Sequence, residues 1–317
     1  MSGVRYAPNT GTKVPAPEQA LRAERPYRTA LVLKNRVNPA YISAMKAGQA
    51  AAARYGIQVT NFVPEKPDDL EEQSALLASV IDAATYDAAV FTPVDSVAQM
   101  PLVQRANASG LPVHNISNLL AGGEIVSFTG SDDVAIGRLV IEWLAGRTGG
   151  SARMAVITGS PMAPTAVDRA RGVDEALAQH AGLVCLAAAS AYYDRLRARD
   201  VAAAFLREHA GLQWIVALND EMALGALAAI DDAGAKGRVK VTGVNGIPEG
   251  LLAVQAGRLA ATVDYALYSI AYRAIETAVR HLNGERLQEQ HVLLPTKLID
   301  EGNVGEVIDE RRSWGMM

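Results

Sequence analysis

The chain of 317 residues has one cysteine, Cys185, and this scarcity limits its chemistry. A lone cysteine excludes an internal disulfide and a cysteine-based metal cluster. Because Cys185 lies in the apolar run GLVCLAAA, we expect a small buried side chain there. The sequence also lacks a run near the ~20 apolar residues that a membrane-spanning helix needs. Residues 1–27 lack the apolar core of a signal peptide and predict an extended lead-in.

An excess of positive charge is missing too. Lys and Arg total 30 and Asp and Glu total 34, for a net charge of -4. Such a balance provides no basic surface for phosphates, so nucleic acid is not an expected partner.

Reaction motifs are absent from the sequence as well. It contains no Walker loop, G-x-G-x-x-G turn, H-E-x-x-H helix or G-x-S-x-G elbow. The five histidines are scattered without the spacing of metal ligands. His114 lies inside an apolar run and is interpreted as a buried, hydrogen-bonded histidine. We therefore expect no enzyme, no metal site and no cofactor.

Alternation of short apolar runs with amphipathic helical segments fills almost the whole chain. One series begins at RTALVLKN (28–35), and a second begins at RMAVITGS (153–160). Apolar strands separated by helices predict parallel sheets covered on both faces. Two series of similar length predict an α/β fold with two doubly wound lobes and a cleft between them.

Ligands of open parallel sheets bind at the carboxyl ends of the strands, so the polar residues there are the candidates. Asn219 ends the strand WIVALND in this position, and a ligand could use its side chain. The next residue, Asp220, is interpreted as the N-cap of a helix that begins near Glu221.

Several of these stretches resemble the type I periplasmic sugar-binding proteins, the ribose-binding branch of ABC-transporter solute receptors. The similarity covers roughly residues 28–300 and includes GEIVSFTGSDDVAIG (123–137), NDEMALGALAAIDDAG (219–234) and VTGVNGIPEG (241–250). It implies two lobes joined by three crossovers, which we expect near Gly130–Asp132, Asp264–Tyr265 and His291–Leu293. The first lobe would then comprise residues 28–131 and 265–291, and the second 132–264 and 292–317.

Candidate ligand-binding residues follow from this resemblance, position by position. The family's N-P-F-F loop matches NPAY, which makes Asn38 a hydrogen-bonding residue and Tyr41 a stacking aromatic. The other matches are Arg169, Tyr193, Asn219 and Tyr265. Each has a structural alternative: Asn38 could serve turn chemistry alone, and the tyrosines could be core residues.

Departures from the family pattern concern charge. The family's I-D-R is Ile116-Ser117-Asn118 here, and its G-F-D-G is Gly243-Val244-Asn245-Gly246. Ser117, Asn118 and Asn245 are therefore candidates that can donate as well as accept hydrogen bonds. Arg36 is an additional candidate in the first loop, or else a solvated arginine. We expect a small polyhydroxylated ligand other than simple ribose: a sugar acid, a polyol or a modified sugar. Asp264 could oppose the arginines or pair with one of them.

The resemblance implies a monomeric periplasmic receptor that closes on a carbohydrate-like ligand and presents it to the membrane permease of an ABC transporter. An alternative is the sensor domain of a LacI-like regulator, which would need a helix-turn-helix that residues 1–27 do not supply. A role as the sensor partner of a chemoreceptor or histidine kinase is compatible with the first function.

Overall fold

The computed structural model describes residues 3–7, 21–313, 315 and 317. The first elements are β1 (Gly3–Tyr6), β2 (Arg28–Val32), α1 (Pro39–Tyr55), β3 (Gln58–Phe62), α2 (Leu70–Ala83), β4 (Ala88–Phe91), α3 (Met100–Ala108), β5 (Val113–Ile116), β6 (Gly122–Ile125) and β7 (Ser127–Gly130). There follow α4 (Asp133–Thr148), β8 (Ala152–Thr158), α5 (Pro164–Leu177), β9 (Leu183–Ser190), α6 (Arg195–Glu208), β10 (Trp214–Ala217) and α7 (Asp220–Asp232). The last are β11 (Lys240–Thr242), α8 (Pro248–Gln255), β12 (Ala261–Asp264), α9 (Leu267–Leu282), β13 (His291–Leu293), β14 (Lys297–Asp300) and α10 (Val304–Ser313).

The chain divides into two compact units. Unit 1 comprises residues 1–131 and 267–294, and unit 2 comprises residues 132–266 and 295–317. Compared with the expected lobes, Tyr265 and Ala266 fall in unit 2 and residues 292–294 fall in unit 1. The predicted α/β class with parallel sheets is confirmed.

Unit 1 is built on a six-stranded sheet in the order β13-β7-β5-β4-β2-β3, and every pairing in it is parallel. All residues of β4 and β5 are buried. Since successive side chains of a strand point to opposite faces, both faces of this sheet are covered. Helices α1 and α9 pack against each other, and α2 contacts α3.

The apolar run EIVSFTG (124–130) contributes to two strands. Its second part is β7 of the main sheet, whereas its first part belongs to β6, which pairs with β1 in a separate two-stranded sheet. The predicted lead-in of residues 1–27 therefore contains a strand, Gly3–Tyr6, while residues 1–2 and 8–20 lie outside the described part of the chain.

Unit 2 repeats the design with a six-stranded sheet in the order β14-β12-β11-β10-β8-β9. Strand β14 pairs antiparallel with β12, and the other pairings are parallel. Helix α4 begins at an N-cap aspartate, Asp132, which accepts from the amide of Ala135 at 2.8 Å. It ends at Gly149, whose φ of 62° suits the left-handed conformation of a C-cap.

Cys185 does not have the environment that its apolar neighbours suggested. It lies on β9, the edge strand of unit 2, and it is exposed. The prediction of a buried cysteine is wrong, because an edge strand has a neighbour on one side only and much of β9 remains accessible.

His114 confirms the expectation of a buried histidine. It is fully enclosed on β5, and its Nδ1 lies 2.8 Å from Ser127 Oγ. Burial, helped by the nearby His281, lowers the pKa of His114 to about 3, so the ring is neutral at physiological pH.

The helices of the described residues share one further property. Each is too short or too polar to traverse a lipid bilayer.

Candidate functional site

Arg169 is the centre of the candidate site in unit 2. Its buried guanidinium donates from Nε to Asp133 Oδ1 at 2.7 Å and from Nη1 to the Leu218 carbonyl at 2.9 Å. Arg169 therefore connects α5, on which it lies, to the start of α4 and to the end of β10.

Two glycines bring Asp133 and Arg169 together. A Cβ on Gly137 of α4 would lie 2.0 Å from the Arg169 carbonyl oxygen, and one on Gly172 of α5 would lie 2.0 Å from that of Val134. Any larger residue at either position would push the two helices apart. The sequence thus places α4 and α5 in backbone contact, and this contact carries Asp133 to the arginine.

The Asp133–Arg169 pair is ionic at neutral pH although both residues are buried. Burial raises the pKa of Asp133 to about 6, and Arg169 opposes that rise. Burial alone would lower the pKa of Arg169, but Asp133 and the neighbouring tyrosines raise it on balance. Since pH 7 lies above one pKa and below the other, the carboxylate and guanidinium neutralise each other.

Tyr265 and Asn245 complete the surroundings of this guanidinium. The Arg169 Cζ lies 4.7 Å from the centre of the Tyr265 ring, in cation–π geometry. Asn245 Oδ1 lies 3.5 Å from Arg169 Nη1. With a φ of 120°, Asn245 has a conformation that costs a non-glycine residue about 1–3 kcal/mol. The structure therefore brings these three predicted residues into contact.

Tyr193 lies in the loop that follows β9 and also has a left-handed backbone, with a φ of 64°. Its hydroxyl lies 3.1 Å from Thr165 Oγ1, and its ring covers Gly159, where a Cβ would lie 2.2 Å from the ring. The aromatic ring is thus fixed between the loops that follow β8 and β9.

The junction of β10 and α7 differs from the expected one. Asn219 is the N-cap, and its Oδ1 accepts from the amide of Met222 at 2.8 Å. The prediction that Asp220 caps the helix is wrong, because α7 begins one residue earlier than expected. Asp220 is instead fully buried, and burial raises its pKa to about 7. It is a residue whose importance was missed from the sequence.

Unit 1 presents its first candidate loop between β2 and α1. Asn38 caps α1 by accepting from the amide of Ala40 at 3.0 Å, so the turn chemistry considered for it is present. Tyr41 is mostly buried in the first turn of that helix. Arg36 is exposed, and it donates to the Val63 carbonyl and, at 3.3 Å, to Glu65. Arg36 therefore forms an ion pair with a carboxylate of its own unit.

The second candidate loop of unit 1 follows β5. Ser117 has a φ of 63°, and Asn118 is buried with its Nδ2 donating to the Pro93 carbonyl at 2.9 Å. Asn115 supports this loop from β5: its Nδ2 donates to the carbonyls of Phe91 and Asn118, each at 3.0 Å. Asn118 therefore stabilises the loop after β5 within unit 1.

Two further charged groups have partners that the sequence did not indicate. Asp264 accepts from Arg311 of α10 through both oxygens, each at 2.6 Å, rather than from Arg169 of the same unit. Lys34 is buried just after β2, and its Nζ lies 3.1 Å from Asp68 Oδ1. The position of Lys34 directly after an apolar strand was the available signal for it.

Comparison with known proteins places the chain. Residues 29–286 match the model of a family described as a periplasmic binding protein domain. The chain belongs to the periplasmic binding protein family. Within that family it is a type I sugar-binding member, and it is similar to the ribose import binding protein of Escherichia coli K12, with 33% identity over 264 residues. This alignment covers 83% of the chain and 87% of the relative.

Two other periplasmic binding proteins illustrate the group. The D-allose-binding periplasmic protein of E. coli K12 is 30% identical over 74% of this chain and 78% of its own length. A solved ABC-transporter solute-binding protein of Actinobacillus succinogenes 130z, with bound D-allose, superimposes with a TM-score of 0.83. It is 28% identical, and the match covers 88% of this chain and 99% of that one. The chain is therefore a transporter's solute-binding protein, in preference to the sensor domain of a LacI-like regulator.

Proposed function

We propose that this protein is a periplasmic receptor for a small neutral ligand rich in hydroxyl groups, a sugar or a polyol, and that it has no catalytic activity of its own. The family membership and the relatives named for ribose and D-allose support the carbohydrate class. The ten candidate residues are proposed as ligand contacts; among them we rely most on Arg169, Asn245 and Tyr265.

The pairing of the candidate arginines with carboxylates is the observation that supports a neutral ligand. The charge of Arg169 is compensated by the buried Asp133, and Arg36 faces Glu65. A sugar acid would add a negative charge beside a pair that is already neutral. This argument narrows the class expected from the sequence to its uncharged members.

The remaining groups suit hydroxyl groups and sugar rings. Asn219 and Asn245 each carry a donor and an acceptor, as a hydroxyl group requires. Tyr265 and Tyr193 offer aromatic faces to the apolar side of a sugar ring. Arg169 contributes charge-assisted donors without contributing net charge, because Asp133 neutralises it.

The mechanism is a population shift. A ligand that contacts residues of both units binds more tightly when they close on it, and it therefore increases the population of the closed form. The protein would act as a monomer in the periplasm and deliver its ligand to the membrane permease of an ABC transporter. Release of the natural protein by osmotic shock tests the compartment.

A thermal-shift panel tests the ligand class. The protein is unfolded and refolded to remove carried-over ligand, and then heated with pentoses, hexoses and polyols, including D-ribose and D-allose, and with matching sugar acids. A ligand at ~100 times its dissociation constant adds about 2.7 kcal/mol of stability, which raises the Tm by several degrees. We expect a neutral compound to give that shift. A larger shift with a sugar acid than with its neutral parent would contradict the charge argument.

The variant Asp133→Asn tests the charge argument directly. It removes the compensating carboxylate while keeping a similar shape, so the ratio of sugar-acid to neutral-sugar affinity should rise. Asp232→Asn is the matched control, since it removes an exposed carboxylate that pairs with Arg199, away from the candidate residues, and should not change that ratio. An unchanged ratio in Asp133→Asn would show that Asp133 does not set ligand charge.

A further inference from the structure

Asp220, the buried carboxylate at the start of α7, ties three elements of unit 2 together. Its Oδ1 accepts from Thr262 Oγ1 of β12 at 2.6 Å, and its Oδ2 accepts from the amide of Ile247 at 2.9 Å. Its own amide donates to the Val244 carbonyl at 2.7 Å. The carboxylate therefore links α7 to β12 and to the loop between β11 and α8.

The backbone of two glycines packs directly against this carboxylate. A Cβ on Gly243 would lie 2.1 Å from Asp220 Oδ1, and one on Gly250 would lie 2.6 Å from Oδ2. Backbone thus approaches Asp220 on both sides. A buried acceptor surrounded by donors and backbone at this distance has little freedom to move.

Asn245 lies in the middle of the loop that Asp220 holds. Val244 precedes it and Ile247 follows it, and both bond to Asp220. The amide of Gly246 donates to Thr262 Oγ1 at 3.3 Å, while that of Asn245 donates to the Val263 carbonyl at 2.7 Å. With a φ of 120°, Asn245 has a conformation that persists only where its surroundings enforce it.

We propose that Asp220, with Thr262, is a positioning residue that holds the loop 243–247 in the conformation which presents Asn245 to the ligand. The inference rests on the proposed function, in which Asn245 contacts the ligand. Asp220 itself is buried and acts through the loop. The Asp-Glu pair after Asn219 accordingly has two tasks: Asp220 orders the neighbouring loop, and Glu221 bonds to Arg195 at the surface.

Hydrogen–deuterium exchange tests the positioning without any ligand. Asp220→Asn replaces one acceptor with an amide donor, and Thr262→Val removes the hydroxyl while keeping the shape of the side chain. Both variants should increase deuterium uptake in the peptide 243–250, whereas Thr262→Ser, which keeps the hydroxyl, should not. Asp232→Asn, at the exposed end of the same helix, is the matched control. Unchanged uptake in both Asp220→Asn and Thr262→Val would overturn the proposal.

A double-mutant cycle, with D-allose as the probe, tests the consequence for binding. Because Asp220→Asn disturbs two buried hydrogen bonds to the loop and β12, it should bind D-allose about tenfold more weakly than the wild type. The same substitution should add little in an Asn245→Ala background. Thr262→Ser should bind like the wild type even if its Tm falls, which a purely structural role would not predict.

The outcomes of the cycle separate the two proposals. If Asn245→Ala weakens binding and Asp220→Asn does not, or if the two losses are additive, the positioning role is wrong and the proposed function stands. If Asn245→Ala binds D-allose like the wild type, the ligand contact of Asn245 is wrong, and the positioning role is wrong with it. If the wild type does not bind D-allose, that ligand is wrong, and the exchange experiment alone decides whether Asp220 holds the loop.

Discussion

The carboxyl edges of the two sheets carry comparable sets of candidate residues, but different types of buried polar side chain stabilise their loops. In unit 2 the edge contains buried ionisable groups, Asp133, Arg169 and Asp220. In unit 1 the buried Lys34 follows β2, but the loops after β4 and β5 are fastened by buried neutral amides. Gln99 Nε2 donates to Gln73 Oε1 at 3.0 Å, and both side chains accept from the amide of Val94 at 2.9 Å.

The contrast indicates how each edge responds to its surroundings. Neutral amides keep their hydrogen bonds at any moderate pH, whereas buried carboxylates change charge when their pKa values approach neutrality. We therefore expect the loops after β4 and β5 of unit 1 to be insensitive to pH and those of unit 2 to depend on it. His114, in the core of unit 1, is an exception among the described residues, and its response to pH has the opposite sign to that of the unit 2 carboxylates.

The largest expected effect comes from removing the buried arginine. Arg169→Ala leaves Asp133 buried without its partner, which should lower the free energy of unfolding by about 3–5 kcal/mol at pH 7. The loss should be smaller at pH 5, where Asp133 becomes protonated. Arg36→Ala is the matched control in unit 1, and because that arginine is exposed its effect should stay within about 0.5 kcal/mol. Urea unfolding measures both. Equal losses of unfolding free energy in the two variants would contradict the proposed difference between the two edges.

An intermediate effect is expected from the amide network of unit 1. Asn115→Ala removes the side-chain acceptor of the Leu120 amide and a donor to the carbonyls of Phe91 and Asn118. The free energy of unfolding should fall by about 2–3 kcal/mol, since these groups are buried. Asn107→Ala, which loses two bonds to the exposed backbone of Glu124, should cost less because water replaces them. Urea unfolding at pH 5.5 and 7.5 should give the same loss for Asn115→Ala, and a pH-dependent loss would contradict the comparison.

The smallest expected effect is a pair of opposing pH responses, each of order 2 kcal/mol between pH 7.5 and 5. The pKa of Asp220, about 7, lies above that of an unfolded aspartate, so folding takes up a proton and its contribution to stability is lost as pH rises through 7. The pKa of His114, about 3, lies below that of an unfolded histidine. Its contribution is present above about pH 6.5 and is lost as pH falls.

Unfolding measured across this pH range separates the two responses. Relative to the wild type, Asp220→Asn should lose stability on acidification, because it lacks the proton uptake. His114→Gln should gain stability under the same change. Asn107→Ala, which exchanges no titratable group, is the control, and its stability should change with pH as that of the wild type does. Responses of the same sign in the first two variants would contradict the assignment of the buried groups.

The candidate residues were predicted from position and resemblance, and the structure shows how far position can serve. Arg169, Asn245 and Tyr265 were named separately and prove to be neighbours. Asp133 and Asp220 were not named as site residues, because each follows a strand in a context typical of helix caps. Their burial depends on glycines far away in the chain, Gly172 for Asp133 and Gly243 for Asp220, and no local pattern reports such contacts.

The periodicity of apolar residues by itself determined that this chain forms two α/β units with parallel sheets, because strand and helix periods are local properties of the sequence. The strand-end positions of the polar residues were determined in the same way. Only the tertiary structure decided which charges are paired. Arg169 meets Asp133, Arg36 meets Glu65 and Asp264 meets Arg311 through contacts between segments remote in sequence. Burial and pairing together set the charge that a site presents, and both arise from packing.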